Sequence, residues 1–134
     1  LLKDFGLIAA INSLIEKANK MYQINFSFNS FDFNERIDPK LEKSLYRICQ
    51  ESLNNIVKHS EANNANYQIF KQDELIVVVI DDDGCGFDID FDDENNRKGI
   101  GLISMRERVL AFGGEFSIYS RVNNGTEIII EIPC

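Results

Sequence analysis

Leu75-Ile76-Val77-Val78-Val79-Ile80-Asp81-Asp82-Asp83-Gly84-Cys85-Gly86-Phe87 carries an apolar run straight into three carboxylates and a Gly-x-Gly turn. The run reads as a strand that is fully or largely buried, because β-branched residues without polar alternation suit a covered sheet position. A carboxylate at the end of such a strand can be aimed into a pocket. Glycines directly after it let the backbone come close to a flat ligand where a Cβ would clash. Asp82 is the carboxylate chosen for this, since it precedes Asp83-Gly84-x-Gly86, and an acceptor there matches an exocyclic amino group such as that of adenine. Two other readings compete. Asp-Gly is common in plain turns. A calcium loop needs acids at alternate positions before a glycine; counted back from Gly84 the first ligand is Val79, and counted from Asp88 the glycine position holds Asp93, so both registers fail.

Working outward, residues 1–20 have helical spacing of apolar side chains, and residues 22–28 alternate as a strand with Tyr22, Ile24, Phe26 and Phe28 on one side. Asp38-Pro39 is a helix start, with Asp as N-cap and Pro in the first turn, and that helix is expected to run to about Ser60. Residues 66–71 and 75–81 are strands around a short turn. Residues 101–112 form a helix stopped by Gly113-Gly114, and residues 115–121 and 126–132 form a hairpin around Asn123-Asn124-Gly125. The order α-β-α-β-β-α-β-β predicts an α+β fold, a two-layer α/β sandwich. Its sheet is mixed and mainly antiparallel, with helices on one face. The length of 134 residues with 44% hydrophobic content suits one domain with a single core.

On the helix from Asp38, a wheel at roughly 100° per residue puts Leu41, Leu45, Ile48 and Ile56 in the core stripe. Glu51, Asn55 and Lys58 fall within roughly 60° of one another at its border. Polar groups at a buried border need partners. A Mg²⁺ ion with phosphate oxygens would satisfy all three, with the Asn55 carbonyl on the metal, Lys58 on phosphate and Glu51 on a metal-bound water. The alternative is a solvated face with a Glu51–Lys58 pair. Gly99-Ile100-Gly101-Leu102 precedes the second long helix, a place where glycine N–H groups and the dipole suit phosphate, with Arg97 and Lys98 just before it. Gly-x₄-Gly-Lys-Ser/Thr and Gly-x-Gly-x-x-Gly patterns are both absent, which points to a less common nucleotide fold.

The net charge of −8 leaves no general basic face, so nucleic acid is not an expected partner. Three scattered cysteines and one histidine give neither a zinc pattern nor a disulfide framework, and a reducing, cytoplasmic setting fits them. The longest apolar run is far too short to span a bilayer. The first residues are Leu1-Leu2 rather than methionine, which suggests an excerpt from a longer protein.

Taken together, the motifs resemble a known family. Glu51-x-x-x-Asn55-x-x-Lys58-His59 looks like the N box of the GHKL ATPases, Asp82-Asp83-Gly84-x-Gly86-Phe87 like their first glycine box, and Gly99-Ile100-Gly101-Leu102 like their second. Gly125-Thr126 resembles the Gly-Thr before their last strand. The likeness is strongest to the C-terminal catalytic domain of bacterial sensor histidine kinases of the nitrate/nitrite-sensor-like subfamily, through Gly101-Leu102-Ile103-Ser104-Met105-Arg106-Glu107-Arg108 and residues 2–10.

The resemblance implies the Bergerat ATP-binding fold, ATP and Mg²⁺ as ligands, and γ-phosphoryl transfer to a histidine on an upstream dimerisation helix, to which residues 1–20 would connect. By the same likeness Glu51, Lys58 and His59 are catalytic, with Asn55 on the metal and Glu51 reaching it through water. Asp82, Gly84, Gly86, Lys98, Gly99, Gly101, Leu102 and Thr126 then join Asn55 in holding the nucleotide, and residues 88–98 form a lid that is unusually acidic. The implied partners are the dimerisation domain and a response regulator, in a parent that can be homodimeric and membrane-anchored, with this domain on the cytoplasmic side. The acceptor histidine is not within the 134 residues, so the chain alone is expected to bind ATP without autophosphorylating. A serine kinase or switch protein of the anti-sigma-factor type is the alternative within the same fold.

Overall fold

The computed structural model describes residues 1–33, 35–86 and 97–134, with backbone alone for residues 97–100. The described residues form, in order, α1 (Leu2–Phe5), α2 (Leu7–Met21), β1 (Asn25–Phe31), α3 (Pro39–Asn55) continued by a π turn (Ile56–Ser60), β2 (Asn64–Gln72), β3 (Leu75–Asp82), α4 (Arg97–Ala111), β4 (Glu115–Ser120) and β5 (Thr126–Pro133). The sheet runs β1-β2-β3-β5-β4. β1 and β2 are parallel and every other pair is antiparallel. This is the two-layer sandwich with a mixed, mainly antiparallel sheet that the order of elements predicts.

Local chemistry explains most boundaries. Asp38 accepts from the Lys40 amide at 2.9 Å and Pro39 opens α3, so the expected cap is present. β2 and β3 are joined through Asp73 and Glu74, both at positive φ, which is the twist a two-residue hairpin needs. α4 ends in a Schellman arrangement, with Gly113 N–H donating to Leu110 O at 3.0 Å and Gly114 N–H to Val109 O at 3.1 Å. Several boundaries differ from the sequence reading. The first helix is broken at Gly6 (φ +90°), where the Arg36 guanidinium bonds the Lys3 carbonyl and the buried Glu42 carboxylate, Nη2 to Oε1 at 2.9 Å. β1 begins at Asn25, after Tyr22 and Ile24. α4 starts at Arg97, so Gly99 and Gly101 lie within helical backbone and not in a turn before it.

The core lies on one side of the sheet. Ile76, Val78 and Ile80 of β3 face it, with Ala65, Tyr67 and Ile69 of β2 and Ile128, Ile130 and Ile132 of β5, all buried. Leu45 and Ile48 of α3 and Met105 and Val109 of α4 belong to the same cluster. Each such aliphatic side chain contributes about 1.5–3 kcal/mol of burial. β3 is therefore covered on one face and partly open on the other, where Val79 is only half-buried. The sequence reading of a fully or largely buried strand agrees, since Ile76, Val77, Val78 and Ile80 are all buried. On that open face the rings of Phe31 and Phe70 stack with centroids 4.6 Å apart.

Two glycines at positive φ separate strain from clash. Nothing lies within 4 Å of a Cβ built at Gly113 (φ +74°), whereas at Gly86 (φ +61°) it would sit 2.0 Å from the Arg121 carbonyl oxygen. Gly113→Ala is expected to cost about 1 kcal/mol in urea unfolding, and Gly86→Ala clearly more.

Candidate functional site

The register of the three central strands gathers the site at one end of the sheet. Asp82, the last residue of β3, pairs with Ala65 on one side and Thr126 on the other, and Ile80 pairs with Ile128. These ends meet the polar end of α3. Ser52, Asn55, Ile56, His59 and Ser60 from α3 and its π turn, Ile80 and Asp82 from β3, Gly86, Leu102 from α4, and Thr126 and Ile128 from β5 line one cavity. Ile80, Ile128, Ile56 and Leu102 supply its apolar part, and the remaining side chains supply polar groups around it. Its enclosed volume is about 40 Å³, room for water rather than for a base.

The three aspartates after the apolar run have separate positions. Asp81 accepts from the Asn66 amide at 3.0 Å, on the open face. Asp83 accepts from the backbone of Asn63 at 2.8 Å and of Asn64 at 2.9 Å, and from the Asn64 side chain. Those bonds, the Asn64 backbone foremost, hold its carboxyl below the usual range. Asp82 alone lines the cavity, with Oδ1 accepting from the Gly84 amide at 2.9 Å.

Gly84 is buried against the end of the π turn, where a Cβ would come 2.2 Å from the Ser60 carbonyl oxygen. The adjoining Cys85 amide donates to that same oxygen at 2.6 Å. The glycines of this loop thus let the chain pass close to its own backbone at Ser60 and Arg121. The sequence reading had assigned that closeness to a base.

On α3, Glu51 and Asn55 stay together. A Cβ on Gly101 would lie 2.8 Å from Glu51 Oε1 and 3.2 Å from Asn55 Nδ2, so α4 crosses directly over both groups at residue 101. Lys58 does not join them. It is exposed and does not line the cavity, while His59 is half-buried and does. The π turn is the reason. A wheel at 3.6 residues per turn holds to Asn55 and fails beyond it, since i→i+5 bonding changes the angular step.

Leu102 is buried and Thr126 shares a hydrogen bond with Ser120, Oγ1 to Oγ at 2.8 Å. Gly99 lies in the first turn of α4. The side chain of Lys98 and the acidic stretch 88–96, with Phe87 before it, fall outside the described residues.

Sequence reasoning passed over Ser52, the buried hydroxyl three residues before Asn55. It donates to the Cys49 carbonyl at 2.9 Å and lies 2.7 Å from the Tyr67 hydroxyl. Its position one turn from Asn55 was the available signal. Burial pushes the Tyr67 phenol well up and the Cys49 thiol up to about 12, so both stay neutral beneath the cavity. Among the described residues no group of three or more His, Cys, Asp or Glu could hold a metal.

The family described as "Histidine kinase-, DNA gyrase B-, and HSP90-like ATPase" matches residues 40–134. Over 98% of its length the chain is 32% identical to the signal transduction histidine-protein kinase/phosphatase DegS of Bacillus subtilis and 35% identical to UhpB of Salmonella typhimurium, which bears the same description. It spans 35% of the length of the first and 25% of the second. The solved mycobacterial sensor histidine kinase MprB shares the fold, with a TM-score of 0.69, 21% identity, and coverage of 94% of this chain and 92% of that one.

The sign of the Asp83 contribution is testable. A carboxyl held low in the folded state stabilises above its unfolded pKa and loses that contribution as pH falls through the folded value. Wild type is therefore expected to melt above Asp83→Ala at pH 7, with the gap closing as pH drops below the usual carboxylate range in paired thermal scans.

Proposed function

The chain belongs to the family of histidine kinase-, DNA gyrase B- and HSP90-like ATPases, and from that premise we propose that it is the ATP-binding catalytic domain of a sensor histidine kinase. In this reading it passes the γ-phosphoryl group of ATP to a histidine on a dimerisation helix, from which a response regulator takes it. The named relatives are histidine kinases, which supports this over a switch-type serine kinase. The observation that carries the proposal is the convergence of Asn55, Asp82, Leu102 and Thr126, from four separate elements, on one cavity.

Asp82 receives the adenine amino group, and Ile80, Ile128 and Leu102 enclose the base. A nucleotide pocket needs several hundred Å³, against about 40 Å³ here. The base therefore needs the walls of this cavity to open. Gly101 faces Asn55 and Glu51, so the triphosphate runs toward that crossing. Asn55 and Glu51 present oxygen there, which fits Mg²⁺, an ion bound through one or two protein oxygens plus phosphates and not by a dedicated cage. When bound, Mg²⁺ neutralises charge on the triphosphate.

Glu51 is placed to take the proton from the acceptor imidazole as its nitrogen attacks the γ-phosphorus. Lys58, which faces solvent, is available to phosphate oxygens outside the cavity, and Lys98 and Gly99 belong to the phosphate end. His59 lines the base end and orients it. No described helix is long and apolar enough to cross a membrane. The domain's place on the cytoplasmic side, the homodimeric parent and the absence of a nucleic-acid partner belong to the same proposal.

Calorimetric titration with a non-hydrolysable ATP analogue tests the reading. Asp82→Asn should weaken binding by about 1.5–3 kcal/mol, the range for a hydrogen bond to a charged group; unchanged affinity removes Asp82 from the base. Asn55→Ala should bind the analogue equally with and without Mg²⁺, and a wild-type response to the ion removes Asn55 from the metal. Phosphorylation in trans of a histidine-bearing dimerisation fragment separates a kinase from a binding module.

A further inference from the structure

Glu51 lines a second cleft, of about 300 Å³, between α3 and α4. Arg47 enters it from α3, one turn before Glu51, and Arg108 enters from α4, two turns beyond Gly101. Neither guanidinium has an ion-pair partner among the described residues. Their neighbours in the lining are the neutral Gln50, Asn54 and Ser104.

Two unpaired arginines from different helices converge here, in a chain of net charge −8 where acidic partners are plentiful. Like charges brought together in one cleft repel unless an anion lies between them. Arginine's planar fork matches a carboxylate in two parallel hydrogen bonds. Two guanidinium charges against the one Glu51 carboxylate leave a single positive charge. One side-chain carboxylate neutralises it, and a phosphate dianion overshoots it.

We propose that this cleft docks an acidic protein segment through carboxylate pairing with Arg47 and Arg108. The assignment of that segment as the one bringing the acceptor histidine rests on the kinase reading above. Glu51 faces both the cleft and the Gly101 crossing, so a segment held by the arginines lies beside the group placed to receive the imidazole proton. Arg47 and Arg108 are then positioning residues, without contact to the nucleotide.

The test uses the isotope-labelled chain, with the arginine Nε–H and Ser104 amide signals followed by NMR while hexaglutamate peptide or inorganic tripolyphosphate is added. Hexaglutamate is expected to move the Arg47, Arg108 and Ser104 signals. Arg47→Gln and Arg108→Gln should each weaken it roughly threefold to fivefold, with ATP-analogue affinity held within about twofold and Arg47→Lys intermediate. In trans phosphorylation, hexaglutamate should compete with the histidine-bearing fragment and not with ATP. Cleft signals that do not move, equal binding by the double variant, competition with ATP, or a stronger response to tripolyphosphate would each overturn the proposal. Wild-type chain that binds hexaglutamate in this way but binds no ATP analogue would instead overturn the kinase reading and leave the acidic dock standing.

Discussion

The pairing register of β3 is the constraint from which the site follows. β3 is hydrogen-bonded on both edges, and its core-facing residues Ile76, Val78 and Ile80 interlock with Tyr67 and Ile69 on one side and Ile128 and Ile130 on the other. A slip of one residue would turn that set outward and carry Asp82 to the open face in place of Asp81. Such a slip would expose three aliphatic side chains at about 1.5–3 kcal/mol each, so the sheet core itself holds Asp82 toward α3. The same register brings Thr126 level with Asp82.

The second constraint is the end of α3. Its apolar stripe is fixed on the sheet by Leu41, Leu45 and Ile48, which leaves Glu51 and Asn55 at the border where α4 crosses. The close crossing at Gly101 lies between the cavity and the arginine cleft. Glu51 lines the cleft and reaches the Gly101 crossing. The Ser52–Tyr67 hydroxyl pair and the Ser60–Cys85 backbone bond tie α3 and its π turn to β2 and to the glycine loop, keeping the remaining walls in place.

Much of this was legible in the residues. The cap at Asp38-Pro39, the hairpins, the glycine stop of α4 and the core stripe of α3 are local signals, and the structure carries each of them. The fold class followed from their order. The choice of Asp82, and not Asp81 or Asp83, came from the glycines that follow it, and Asp82 is the one that lines the cavity. What was not legible depended on contacts between distant segments. The break at Gly6 answers Arg36 and Glu42 on the far side of β1. The π turn, which moves Lys58 out and His59 in, has no periodic signature in the sequence.

By itself, then, the sequence determined the elements, their order, the family motifs and the residue types that a nucleotide phosphate and a metal would need, because each of these is set by local backbone preference and side-chain chemistry. Only the tertiary structure decided which groups share a surrounding. Gly84 and Gly86 are glycines because the chain passes its own backbone there, Gly101 packs over Glu51 and Asn55, and Arg47 and Arg108 line one cleft because two helices cross. Close approach between segments far apart in the chain is a property of packing, and no local pattern encodes it.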